Sequence, residues 1–217
     1  MPCAIPPPLV LASTSPRRRR LLAGMGLAFE SVDPGVEEDR ILAGSPVATS
    51  RARAEAKARA AAWARPEAVV LAADTVVALG DGLLPKAADA GEVARMLRAL
   101  SGTAHEVVTS VAVVAPGGAA PIVASDVARV TFRDIAEDEV AAYAASGEGI
   151  GKAGGYAVQG RAAGFVMSLE GDVETVVGLP TRLVRELLAR ARGKTPAGCS
   201  CGSGVLAWTV LPPLRFS

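Results

Sequence analysis

The chain has 217 residues, half of them apolar and only 4% aromatic, and its 23 lysines and arginines against 22 acids leave a formal net charge of +1. That length suits one domain with a sizeable aliphatic core. The near-neutral balance argues against a protein that coats nucleic acid, no run of about twenty apolar residues offers a membrane span, and the N-terminus MPCAIPPPLVLAS lacks the basic start of a secretion signal, so the cytoplasm is the expected compartment.

In chain order, residues 1–8 form a proline-rich segment, and Leu9 to Ala12 reads as a short buried strand broken by Ser13, Thr14 and Ser15. Pro16 follows where a helix accepts proline most readily, with Ser15 placed as its N-cap. A strand that enters a helix through a polar turn leaves unpaired N–H groups and about half a positive charge facing the space above it. Such a turn is an anion site. Arg17, Arg18, Arg19 and Arg20 put further positive charge at the end of the helix dipole that repels it, a placement that a bound anion would offset. Taken alone, four arginines also fit a solvated helix face or a nuclear address.

Gly24 and Gly26 stop this helix, Phe29 to Val32 reads as a strand, and Asp33 to Asp39 as a polar turn holding Glu37, Glu38 and Asp39. Ser45 and Pro46 announce a second helix, Val47 to Arg65, ended by Pro66. Lys57 lies near its middle among alanines, on a surface that another element can approach closely, whereas Arg51, Arg53 and Arg59 read as solvent charges. Ala68 to Ala73 is a second buried strand running into Asp74 and Thr75. Because open sheets place ligands beyond the carboxyl ends of their strands, Asp74 is a site candidate, and it shares a rim with the serine turn if the two strands are parallel neighbours.

Val76 to Leu79 continues as strand and turns through Gly80 to Gly82 into a hairpin, with Lys86 beyond it. Asp89 and Glu92 resemble a capping box for a helix to Leu100. His105 to Val114 and Ile122 to Phe132 should pair as an antiparallel hairpin, which makes the sheet mixed; His105 at a strand start reads as a packed or exposed histidine rather than a general base. A short helix, Glu137 to Ala145, leads to the glycine-rich stretch from Glu148 to Gly160, which carries Lys152 and Gln159. Glycines there either make a flexible connection or let backbone approach a ligand. Gly160 to Leu169 reads as strand, and a last helix runs from Pro180 to about Gly193. Residues 194–217 lose periodicity and are expected to form a disordered tail. Cys3, Cys199 and Cys201 make no disulfide framework, and a metal on the last two would need two more ligands.

The expected fold is therefore α/β, a mixed, twisted central sheet flanked by helices over residues 9–193, with a phosphate cleft at strand C-terminal ends. Cations at Arg17, Arg18, Lys57, Lys86 and Lys152 facing carboxylates at Glu38 and Asp74 suit a polyphosphate with a divalent metal, Mg²⁺ or Mn²⁺. No G-x-x-x-x-G-K-[ST] motif is present, which excludes a P-loop enzyme.

In order along the chain, LASTSPRRRRLL, the stretch from Phe29 ending in Glu37 and Glu38, EAKA around Lys57, LAADTVV, Lys86 with Asp89, ARMLRALSGTAHEVVTSV, YAASGEGIGKAGGYAVQG and VVGLP resemble the motifs of the Maf family of nucleoside triphosphate pyrophosphatases. The resemblance covers about Leu9 to Arg192. It implies hydrolysis of a nucleoside triphosphate to monophosphate and pyrophosphate, with Asp74 as proton acceptor, Glu38 beside it for the metal, and Lys57 and Lys86 on the leaving pyrophosphate. Ser13, Ser15, Arg18 and Lys152 complete the substrate-binding set. Arg17, Thr75 and Gln159 match the positions typical of the branch that prefers dTTP and UTP, while another branch prefers 7-methyl-GTP. The family also implies a homodimer, and its name has been tied to regulation of cell division and septum formation, a reading that needs no catalysis. Two departures stand out: Pro85-Lys86-Ala87 where the family has G-K-P, and Gly151 where it commonly has aspartate.

Overall fold

The computed structural model describes residues 7–192. Strands β1 (Leu9–Ala12), β2 (Glu30–Val32), β3 (Val69–Leu79), β4 (Gly82–Leu84), β5 (Ala104–Val114), β6 (Ile122–Phe132) and β7 (Val166–Glu170) form one sheet in the order β2-β1-β3-β5-β6-β7, with β4 also on β3. β1 pairs in parallel with both β2 and β3, and the other pairings are antiparallel. The helices are α1 (Pro16–Gly24), α2 (Pro46–Ala64), α3 (Ala90–Leu100), α4 (Glu137–Ala145), α5 (Val173–Val177) and α6 (Thr181–Ala191). The α/β class, the mixed sheet and the β5–β6 hairpin are as the sequence leads one to expect.

Among the described residues, one face of the sheet is covered by α2. Ala54, Ala58, Ala61 and Ala62 recur at helical spacing and pack on Val10, Ala12, Val70, Ala72, Ala112 and Val114. Methyl-sized contacts on both sides let the helix lie close to the strands, which is why Lys57, one turn before Ala61, can reach the sheet. The opposite face carries two separate apolar clusters. One joins β1, β3 and β5 to α1 and α6 through Leu11, Leu22, Leu71 and Leu187; the other joins β3, β5 and β6 to α3 and α4 through Val77, Met96, Leu97, Phe132 and Tyr143.

The register of β3 opens a gap between them. β1 pairs with β3 only from Val69 to Leu71, and β4 only from Val77 to Leu79, whereas β5 runs alongside β3 from Val70 to Ala78. Among the described residues, positions 72–76 of β3 therefore have a strand on one edge only, and the space beyond the end of β1 is open for a site. Asp74 lies in the middle of this stretch. It is not at the end of its own strand, as expected, because β3 is continuous through it; the carboxyl end that matters is that of β1.

One stretch differs from expectation, and one helix has no counterpart in the sequence reading. Arg161–Phe165 is a 3-10 turn rather than the start of a strand from Gly160, with the Ala163 N–H bonded to the Gly160 carbonyl, and β7 begins only at Val166. Its sequence, RAAGF, has little strand preference. The β-branched run Val173–Val177 is a helix because Asp172 caps it, accepting from the Glu174 N–H at 2.9 Å, and Gly178 at φ 112° ends it. The capping at Asp89 is half of the expected box: its carboxylate accepts from the Glu92 N–H at 2.8 Å, while Glu92 reaches the Ala88 N–H instead. Residues 1–6 and the expected tail at 194–217 lie outside the described residues.

Candidate active site

The turn after β1 is built on its own hydroxyls. Ser13 is buried, and its Oγ accepts from the Ser15 N–H at 3.2 Å. Ser15 is the N-cap of α1, with Pro16 at the first helical position. Arg18 is held by three acceptors from three elements: the Gly178 carbonyl at 2.9 Å, Thr75 Oγ1 at 3.1 Å and Ser13 Oγ at 3.4 Å. Arg17 has a buried Nε with no hydrogen-bond partner among the described residues, while Arg19 and Arg20 are exposed. Burial and the neighbouring Arg18 and Arg20 charges push the Arg17 guanidinium below its usual value. Mutual repulsion of this kind is relieved by a bound anion.

Asp74 and Thr75 point to opposite faces of the sheet, as strand neighbours must. Asp74, only 2% exposed, meets Lys57, 6% exposed, at 2.7 Å between Oδ1 and Nζ. Lys57 also contacts Glu38 Oε2, and Glu38 Oε1 contacts Lys86 Nζ, so two carboxylates and two ammonium groups alternate in a chain from α2 and β3 to the rim. Asp74 Oδ2 is buried and unpaired among the described residues. Burial raises the Asp74 carboxyl to about 6, with the Arg18 and Arg53 charges pulling the other way.

The backbone around Asp74 is fixed from α2, where buried Ser50 donates to the Asp74 carbonyl at 3.0 Å and accepts from the Ser110 N–H at 3.1 Å. Arg53 is not a solvent charge. Its side chain is 12% exposed and donates to the Ile41 carbonyl at 3.0 Å, tying the loop that carries Glu38 to α2. Arg51 likewise reaches the Val123 carbonyl at 3.4 Å.

The glycine-rich loop folds onto the segment after β4. Lys86 pairs with Ala153 as an antiparallel bridge, and the Ala87 carbonyl accepts from the Gly151 N–H at 2.8 Å. This places Lys152 beside Lys86 on the rim. Gly151 has φ 71°, a conformation that aspartate adopts only with strain, and the loop is held here by backbone bonds rather than by a side chain at that position. Glu148 clasps the loop from below: its carboxylate accepts from Tyr143 Oη at 3.2 Å and from the Arg161 N–H at 3.1 Å, and its carbonyl accepts from Lys152 Nζ.

A single cavity of about 580 Å³ is lined by Ser13, Ser15, Arg17, Arg18, Glu38, Lys57, Asp74, Thr75, Lys86, Lys152 and Gln159, so every site residue expected from the sequence is brought together. One half is charged. The other is walled by Val77, Val107, Tyr156, Val158 and Val176.

The Maf-like protein family model matches residues 8–191. This chain belongs to the Maf family. Among its curated relatives, a dTTP/UTP pyrophosphatase from Deinococcus radiodurans is 47% identical over 193 residues, covering 88% of this chain and 96% of that protein. Another, from Hyphomonas neptunium, is 50% identical over 183 residues, covering 83% and 94%. A third, from Rhodospirillum rubrum, is 48% identical over 183 residues, covering 84% and 87%.

Within this Maf-family cleft two contributors carry no motif signal. Ser50 and Arg53 act through backbone carbonyls 24 and 12 positions away. Only an alanine-faced helix marks their neighbourhood in the sequence. His105 is packed, as expected: it is buried, its Nε2 lies 2.8 Å from Tyr156 Oη, and burial lowers it to about 4.

Proposed function

We propose that this protein hydrolyses nucleoside triphosphates, dTTP and UTP foremost, to the nucleoside monophosphate and pyrophosphate, cleansing the cytoplasmic nucleotide pool. The observation that carries this reading is the Glu38–Lys57–Asp74 line, buried at Lys57 and Asp74 and ending in a carboxylate oxygen unpaired among the described residues, inside a cation-rimmed cleft that also has an apolar half. The names of the relatives support it, as does the absence of a membrane-spanning helix among the described residues.

In this reading the triphosphate lies along Arg17, Lys57, Lys86 and Lys152, and the base lies in the apolar half. Asp74, ionised above about pH 6, takes a proton from a water positioned at the α-phosphorus. The new bond joins that water oxygen to phosphorus. The bond from the α-phosphorus to the bridging oxygen breaks, and its electron pair leaves with pyrophosphate, whose charge Lys57 and Lys86 receive. Asp74 then returns its proton to solvent.

Among the described residues no three metal-ligating side chains gather into a cage. Two carboxylates nonetheless fit Mg²⁺ or Mn²⁺, because Mg²⁺ is usually bound by one or two carboxylates together with water and phosphate oxygens. Glu38 and Asp74, the latter through its unpaired Oδ2, would hold it. When bound, the cation neutralises phosphate charge and lowers the pKa of water. Lysines that turn toward phosphate oxygens free the Glu38 carboxylate for this task.

The test is a product assay with Mg²⁺ across ordinary and modified triphosphates, including 7-methyl-GTP. Pyrophosphate from dTTP or UTP is expected, lost in Asp74→Asn while the circular dichroism spectrum is retained. Orthophosphate as the first product would refute the reading.

A further inference from the structure

Between the two apolar clusters lies a line of hydroxyl groups. Arg18 Nη2 donates to Thr75 Oγ1 at 3.1 Å. Thr75 and Thr109 face each other on β3 and β5 with their hydroxyl oxygens 2.9 Å apart, and Thr109 Oγ1 donates to the Thr175 carbonyl at 2.6 Å.

A threonine hydroxyl has one proton, and a carbonyl can only accept. The proton of Thr109, a fully buried residue, is therefore committed to Thr175, so the bond between the two threonines must run from Thr75 to Thr109. Thr75 keeps no proton for the cleft. One lone pair of its oxygen accepts from Arg18, and the other is open to a ligand.

The position of Thr75 makes this consequential. It lines the cavity on the same face of β3 as Val77, with Val107 opposite and Val176 and Val177 nearby, which is the apolar half. A flat, uncharged base belongs there, whereas the triphosphate belongs with Lys57 on the other face. Gln159, which also lines the cavity, has an amide that both donates and accepts, so by turning over it can serve either pyrimidine. It cannot tell uracil from cytosine. A hydroxyl held as an acceptor can, where it faces the ring nitrogen that carries N–H in uracil and none in cytosine.

We propose that Thr109, which does not line the cleft, is a specificity-determining positioning residue. By fixing the direction of this line it makes Thr75 an acceptor only, so that with ring position 3 of the pyrimidine facing Thr75 the cleft favours uracil and thymine, which carry an N–H there, over cytosine, whose bare nitrogen there cannot donate. The inference rests on the nucleoside triphosphate reading above.

The test is calorimetric binding of the α,β-methylene analogues of UTP and CTP, in which the bond to be cleaved is blocked and turnover plays no part. Wild type should bind the uridine analogue about tenfold tighter or more, the order of one hydrogen bond with its partner left unpaired in the rejected ligand. Thr109→Val, similar in shape but unable to accept, should bring the two dissociation constants within about threefold, because the freed Thr75 proton can turn to the cytosine nitrogen. Thr109→Ser should restore the wild-type ratio. Should Thr109→Val fail to fold, Thr75→Val serves: it should weaken the uridine analogue and leave the cytidine analogue nearly unchanged.

An unchanged ratio in Thr109→Val, or equal weakening of both analogues, would overturn the inference. So would a wild type that binds both analogues equally, or neither. A wild type that discriminates the analogues yet releases no pyrophosphate would overturn the enzymatic reading alone.

Discussion

The pH dependence of turnover follows from the burial of Asp74. Its carboxyl is raised to about 6 by burial, and only the ionised form can take a proton from water. With pH as the perturbation and the cation arriving with UTP, kcat/KM, which reports the free enzyme, should be near its plateau at pH 7 and fall about tenfold by pH 5, since one group must lose its proton. The terminal phosphate of the substrate also titrates near pH 6, so the inflection alone does not identify the group. Arg53 separates them: its charge favours ionised Asp74, and Arg53→Met should move the inflection upward, which no substrate group would do.

Stability carries the same signature. The folded value lies above the unfolded one of about 3.9, so the contribution of Asp74 to stability is complete below about pH 4 and is lost as pH rises through about 6. The melting temperature of Asp74→Asn relative to wild type should therefore rise between pH 4 and pH 7. Rates flat from pH 5 to 7, or an inflection unmoved by Arg53→Met, would refute the assignment of Asp74 as base.

Lys57→Met removes the cation between two carboxylates, and should lower stability by about 3–5 kcal/mol in chemical denaturation and kcat by about 100-fold or more. Ala58→Leu overfills a position that is fully buried against the sheet, and should cost about 1–3 kcal/mol and raise KM as α2 and Lys57 shift outward. Chelation by EDTA should abolish pyrophosphate release, and Mg²⁺ or Mn²⁺ should restore it; full activity in excess chelator would refute a metal at Glu38 and Asp74.

What could be read in advance follows the range of the forces involved. Ser15 and Pro16 define a helix start through contacts within three residues, and β1, β3 and the β5–β6 hairpin through their apolar runs, so these elements were legible. Asp74 stood out because an acid interrupts a buried run. Arg53 could not be told from Arg59 by sequence, since what separates them is the Ile41 carbonyl of a folded loop. The segment Gly160 to Leu169 misled for a related reason: only its second half, from Val166, suits strand, while the loop it leaves is anchored by Glu148 on the Arg161 N–H, and the chain completes a 3-10 turn before it can join β6. Thr109 was silent altogether, a threonine in a strand made of β-branched residues, and only its partners Thr75 and Thr175 set it apart.

The most direct test of the mechanism is where the oxygen of water ends up. Turnover of UTP in H₂¹⁸O should place the label in the monophosphate and none in pyrophosphate, because the attack drawn from Asp74 and the two lysines is at the α-phosphorus. Label in pyrophosphate, or in released orthophosphate, would contradict it.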